Sequence, residues 1–122
     1  QVGVSSGRAL LTARNNSGNE TFNINDATIS VFQGNPGTRS GHRSFGRIVS
    51  TDKQGYFNGA LIANVAVAST SLATNTAYIL QHNGSFGPDQ ANAYWHGAGF
   101  DDAGHAAMHS ILGTYLSAVG AI

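Results

Sequence analysis

Residues 45–70 read FGRIVSTDKQGYFNGALIANVAVAST, and this stretch decides the fold class. Residues 45–51 are rich in β-branched side chains and suit a strand. Asp52-Lys53-Gln54-Gly55 supplies turn chemistry, with Gly55 able to take a positive φ, and predicts a hairpin reversal. Residues 56–70 then read as one long strand. Phe57, Leu61, Ala63 and Val65 are assigned to one face of it, and Asn58 and Asn64 to the other. A strand–turn–strand unit with no helix between its strands predicts an antiparallel sheet.

Working towards the N-terminus, residues 27–33 (ATISVFQ) alternate apolar and polar, and Gly34-Asn35-Pro36-Gly37 ends that strand. Residues 8–13 are a short apolar stretch. Dense turn chemistry follows at residues 15–19, then alternation from Thr21 to Ile24, which together predict a β-hairpin. Towards the C-terminus, residues 77–81 make one more strand after a short polar loop. The period then changes. Pro88 suits the first position of a helix with Asp89 beside it, and Ala91, Tyr94, Trp95 and Ala98 follow at helical spacing. Asp101 or Asp102 can cap a second helix, along which Met108, Ile111, Leu112, Tyr115, Leu116 and Val119 form an apolar stripe. Each glycine in these helices weakens them by about 1 kcal/mol relative to alanine, so they need packing to persist. The expected class is α+β. One domain spans residues 1–122, with an N-terminal hairpin over 1–26, an antiparallel sheet of about four to five strands over 27–84 and two amphipathic helices over 88–119. The helices should cover one face of the sheet and leave the other open.

Composition narrows the functional classes. The chain has 122 residues, of which 41% are hydrophobic and only 10% charged, against roughly 25% charged in an ordinary soluble domain. A surface of Asn, Ser, Thr and Gly avoids the desolvation cost of burying charge and suits broad contacts between subunits. A domain of this size buries about two-thirds of its unfolded surface, so a partner copy would add stability. The chain has no cysteine, which excludes disulfides and thiolate metal sites. No apolar run approaches the roughly 20 residues of a membrane span. The formal net charge is zero, but all six basic residues lie between Arg8 and Lys53. Such asymmetry hints at a side that faces a polyanion.

The chain resembles the coat proteins of the single-stranded RNA bacteriophages, the levivirus group. The resemblance rests on residues 9–14 (ALLTAR) with 20–24 (ETFNI), on 41–57 (GHRSFGRIVSTDKQGYF), on 60–69 (ALIANVAVAS), on 75–81 (NTAYILQ) and on 88–119, where the family has its two helices. It implies an intertwined homodimer whose helices pack across the partner's sheet and whose inner sheet face contacts genomic RNA. It further implies an icosahedral shell, a virion assembled in the cytoplasm of a bacterial host, and repression of translation through an RNA hairpin. Two departures stand out. The loop near residues 71–75 is shorter than is usual in the family, and Ala60 and Ile62 lie where an RNA-contacting Thr and Lys are often found.

On this reading Arg43, Arg47 and Lys53 are the candidate phosphate contacts. Arginine pairs with phosphate in bidentate fashion, and neutralised phosphates release counterions. Arg43 and Arg47 are four apart, so a regular strand puts both on one face. Replacing both with alanine should then leave dimers intact and lower RNA content. Tyr78 could stack on an unpaired base, and Asn58 and Asn64 could hydrogen-bond to RNA. Tyr94, Trp95, Met108, Ile111, Leu112, Tyr115 and Leu116 are the candidate helix-packing and dimer residues. Each also has a plainer role as a solvated sheet residue, a core tyrosine or a core helix residue.

Enzymatic readings are weaker. His105 and His109 lie at i and i+4, one turn beyond Asp101, a spacing that can bind zinc, yet no HExxH signature is present. No GxSxG elbow supports a serine hydrolase, and the Gly-rich residues 34–41 lack the lysine of a P-loop. Asn15, Asn19 and Asn83 begin N-x-S/T triplets, which matter only for a secreted chain in a glycosylating host. No cofactor is expected. The alternative to a coat protein is an extracellular or phage-tip carbohydrate-binding module of jelly-roll type. That fold would need a final strand where the apolar stripe predicts a helix.

Overall fold

A computed structural model describes residues 8–12, 20–26, 28, 30–31, 41–70, 81–82, 85–86 and 98–121. Its elements are β1 (Arg8–Thr12), β2 (Thr21–Asp26), β3 (Ser30–Val31), β4 (Arg43–Gly46), β5 (Lys53–Phe57), β6 (Ala60–Val65), β7 (Gln81–His82), β8 (Ser85–Phe86) and α1 (Asp102–Ala118). The chain is α+β, with antiparallel strands and a C-terminal helix. Strands β1-β2-β3 form one three-stranded sheet, β4-β5-β6 a second, and β7-β8 pair separately. The expected N-terminal hairpin is the β1–β2 pair, in register from Thr12 opposite Thr21 to Ala9 opposite Ile24. Residues 87–97, which carry most of the first expected helix, lie outside the described residues, as does the loop at 71–75. Most of the strand expected at 77–81 does so too, and only its last residue falls in β7.

The central stretch folds differently from its reading as a strand over 45–51, a turn at 52–55 and one long strand over 56–70. The reversal between β4 and β5 occupies residues 47–52, so Lys53 opens a strand and does not sit in a turn. Gly55 pairs with Phe45 and Ala63 inside the sheet, and a bulge follows it at Tyr56. The second reversal is Asn58-Gly59, in the middle of the expected long strand. Both residues have positive φ (50° and 80°), the conformation of a two-residue type I′ hairpin, for which Asn-Gly is the preferred sequence. The apolar run on either side conceals this turn.

Strand alternation splits the β4–β6 sheet into two faces. Phe45 and Ala63 point towards Phe22 of β2 and make the core between the sheets, with Ile62 and Val65 packed alongside. The Phe22 and Phe45 rings lie 6.1 Å apart at 44°, within the range of favourable tilted aromatic pairs. Ser44 and Tyr56, opposite each other in the β4–β5 ladder, point the other way and meet α1. The middle sheet is therefore covered on one side by the N-terminal sheet and on the other by the helix. This corrects the expectation of an open sheet face: β2 lies over the side expected to be bare.

Of the two caps the sequence allows, Asp101 and Asp102, α1 uses Asp101. The Asp101 side chain accepts a hydrogen bond from the Gly104 amide at 2.8 Å, and Asp102 lies in the first turn, complementing the helix dipole. At the other end Gly120 takes φ +70°. Its amide donates to the Ser117 carbonyl and the Ala121 amide to that of Leu116, the Schellman pattern that satisfies terminal carbonyls.

Candidate functional site

The three basic residues expected to meet phosphate point to a common side, but that side is roofed by β2. Arg43 makes a bidentate pair with Glu20, Nε to Oε2 at 2.9 Å and Nη2 to Oε1 at 2.6 Å. Its remaining nitrogen donates to the Gly41 carbonyl, and its guanidinium lies 4.9 Å over the Phe57 ring. Arg47 donates to Asp26 Oδ2 at 2.8 Å and to the carbonyls of Ile24, Ser50 and Val67. Lys53, wholly buried, pairs with Asp26 Oδ1 at 3.0 Å and donates to the Thr28 carbonyl. One buried carboxylate thus serves two buried cations. Buried charges persist only when paired and hydrogen-bonded, and Glu20 and Asp26 provide that pairing. The expectation that Arg43, Arg47 and Lys53 lie on an RNA-facing surface is corrected: these side chains join the two sheets.

Glu20 and Asp26 are the functional partners that reading the sequence missed. The signal was present but weak. The only glutamate of the chain and an aspartate flank an alternating strand (ETFNIND), and both end on its buried side. Asn58 and Asn64 are exposed. Asn58 is tied down in the hairpin turn, where its Oδ1 accepts from the His42 amide at 2.9 Å. Tyr78, Tyr94 and Trp95 lie outside the described residues.

On the helix side, His105 is 1% exposed and is the one fully buried residue of α1. Its Nδ1 is 2.9 Å from Ser44 Oγ, and its ring stacks on Tyr56 with centroids 3.7 Å apart. The Tyr56 hydroxyl donates to Asp102 Oδ1 at 2.8 Å. Burial, then this bond to Asp102, pushes the Tyr56 phenol well above its ordinary range. His109 stacks on His42 at 5.8 Å with rings nearly parallel. Parallel stacked imidazoles do not converge on a metal, and among the described residues no group of three or more potential ligands could hold one. Ser44, His105 and Asp102 resemble the components of a hydrolytic triad in composition alone, since Asp102 bonds to Tyr56 and the serine is buried.

Among the described residues, the most exposed large apolar side chains lie on α1. Ile111, Tyr115 and Val119, at i, i+4 and i+8, are 63%, 60% and 56% exposed. Met108, Leu112 and Leu116, one position along from that row, are half-buried. Only the first turns of α1 are seated on the sheet, and the rest of the helix carries its apolar row into solvent. Among the described residues no helix is long and apolar enough to cross a membrane. No known protein family, curated protein or solved structure matches this chain.

Proposed function

We propose that this chain is a structural subunit that pairs with a second copy through α1 and assembles into a closed shell around single-stranded RNA, as the resemblance to the phage coat proteins implies. The observation that carries the reading is the exposed row Ile111, Tyr115 and Val119 beside half-buried Met108, Leu112 and Leu116. An isolated helix with only its first turns seated and a bare apolar row is poorly stabilised in water, and a partner's sheet or helix would bury it. In this reading the first expected helix, residues 88–98, contributes Tyr94 and Trp95 to the same contact, and the sheets of two copies join into a larger one. The protein would reside in the virion. It would have no catalytic role.

The RNA part of the proposal changes in detail. Three of the six basic side chains are spent on Glu20 and Asp26. Phosphate contact then falls to Arg8, Arg14 and Arg39, with exposed Asn58 and Asn64 available for hydrogen bonds. The jelly-roll alternative loses its support at the C-terminus, where a 17-residue helix stands in place of a final strand.

The test is negative-stain microscopy of protein expressed in bacteria, with absorbance at 260 nm followed across the same size-exclusion peak. Uniform particles carrying nucleic acid are expected, and Leu112→Asp should abolish them. A small monomeric or trimeric peak free of nucleic acid would refute the coat reading.

A further inference from the structure

We propose that α1 is held on its own sheet by a histidine joint, His42, His105 and His109, that lets go in mild acid. The proposal concerns contacts within one chain and stands whether or not copies assemble.

The joint is compact. The Asn58-Gly59 turn is clasped to the segment before β4 by two hydrogen bonds, His42 amide to Asn58 Oδ1 at 2.9 Å and Asn58 amide to the His42 carbonyl at 2.8 Å. Gly59 in turn sits against the helix so closely that a Cβ there would lie 2.9 Å from Ala106 Cα and 3.1 Å from His109 Cβ. Within this contact the His42 ring covers the His109 ring, and one turn earlier His105 fills the space between Ser44 and Tyr56. Beyond these first turns the helix has no buried residue. Its docking thus depends on a few contacts, and three of them are imidazoles, the side chains that gain charge closest to neutral pH.

The surrounding charges decide the direction. From the sheet side the joint is faced by Tyr56 and His42. Arg43, next in the chain, points to the opposite face and is neutralised by Glu20. From the helix side come His105, His109, Asp101 and Asp102. Burial holds the His42 imidazole below the ordinary histidine value of 6.5, and the positive charges that His109 and His105 would carry add to the effect. Burial also lowers His105, against an opposing pull from Asp102 and Asp101. The docked form therefore binds fewer protons than the released form as pH falls below 6.5. The stabilisation is complete above that value and is lost towards the lower, docked-state values. Protonating the stacked His42–His109 pair puts two like charges face to face at 5.8 Å, which favours separation.

The experiment is hydrogen exchange by mass spectrometry on the full chain at about pH 7.5 and about pH 5, corrected for intrinsic exchange rates. Peptides from α1 should lose clearly more protection at the lower pH than those from β5 and β6, because the imidazoles hold the helix and not the strand ladders. Equal losses in helix and strands, or no loss in the helix, would overturn the proposal. His42→Phe keeps a ring against His109 but cannot take a proton, so it should reduce the acid effect on α1. An undiminished effect would count against the joint. Should that variant fail to fold, an NMR titration of the unaltered chain serves instead. Imidazole midpoints of His42 and His105 below 6.5 that coincide with helix release support the joint, and midpoints at or above 6.5 overturn it.

Discussion

Asp26 holds two buried cations between the sheets, and Asp26→Ala puts a magnitude on this charge cluster. The wild-type carboxylate is 1% exposed and binds Arg47 Oδ2-on, Lys53 Oδ1-on, at 2.8 and 3.0 Å. It also accepts from the Thr28 amide at 2.7 Å, an Asx-type turn that orders the chain after β2. Removing it takes the carboxylate from two cations held between the sheets, leaving Arg47 against the carbonyls of Ile24, Ser50 and Val67 and Lys53 against that of Thr28 and over the Phe22 ring. Breaking one buried pair typically costs about 3–5 kcal/mol because the remaining charge is stranded. With two charges stranded and a turn bond lost, the upper end of that range applies, about 5 kcal/mol. Domains of this kind have only about 5–15 kcal/mol in total. With a urea slope of about 1.5 kcal/mol per molar, the unfolding midpoint should fall by about 3 M, and the variant should be largely unfolded at room temperature if the parent lies at the low end of that range. Lys53→Met separates this cause from simple loss of packing. It removes one cation and leaves Asp26 paired one-to-one with Arg47, so it should cost about 1 kcal/mol or less, and it should partly rescue Asp26→Ala. The assay is equilibrium urea unfolding followed by circular dichroism on all three variants. A loss below about 1 kcal/mol for Asp26→Ala, or strict additivity with Lys53→Met, would refute the account of one carboxylate holding two buried cations.

The other predictions concern neighbouring parts of the same framework. Arg43→Ala together with Arg47→Ala should destabilise the fold by on the order of 3 kcal/mol or more, seen as a lower melting temperature, because Glu20 and Asp26 each lose a buried partner. An unchanged melting temperature with reduced nucleic acid content would instead restore these arginines to the RNA surface. Gly59→Ala should cost about 1–2 kcal/mol or more, since it combines a positive φ with a Cβ pressed on Ala106. Chemical denaturation would register the loss, and a neutral result would contradict the close turn–helix contact. Asp101→Ala removes the helix cap and should lower stability by about 1 kcal/mol, whereas Asp101→Asn should restore most of it.

Local chemistry in the sequence determined several features by itself. The helix start was readable to within one residue, at Asp101 or Asp102, because a short acid before an apolar periodic run can satisfy the first free amides from its own position, and the structure selects Asp101. The row from Met108 to Val119 was readable because helical period alone puts those residues on one side, whatever they meet. The N-terminal hairpin followed from turn residues between two alternating segments. Asn58-Gly59 was equally local, and its turn chemistry was available, but the largely apolar character of residues 56–70 concealed it. The tertiary structure decided the rest. Whether Arg43, Arg47 and Lys53 face solvent or a carboxylate depends on residues 23, 21 and 27 positions away, brought near only when β2 closes over the middle sheet. The same closure sets which sheet face is covered, and the seating of α1 sets which imidazoles become buried. Periodicity specifies the side of an element on which a residue lies. Only packing specifies what covers that side, and for a charged group this decides between a solvated contact surface and a buried ion pair.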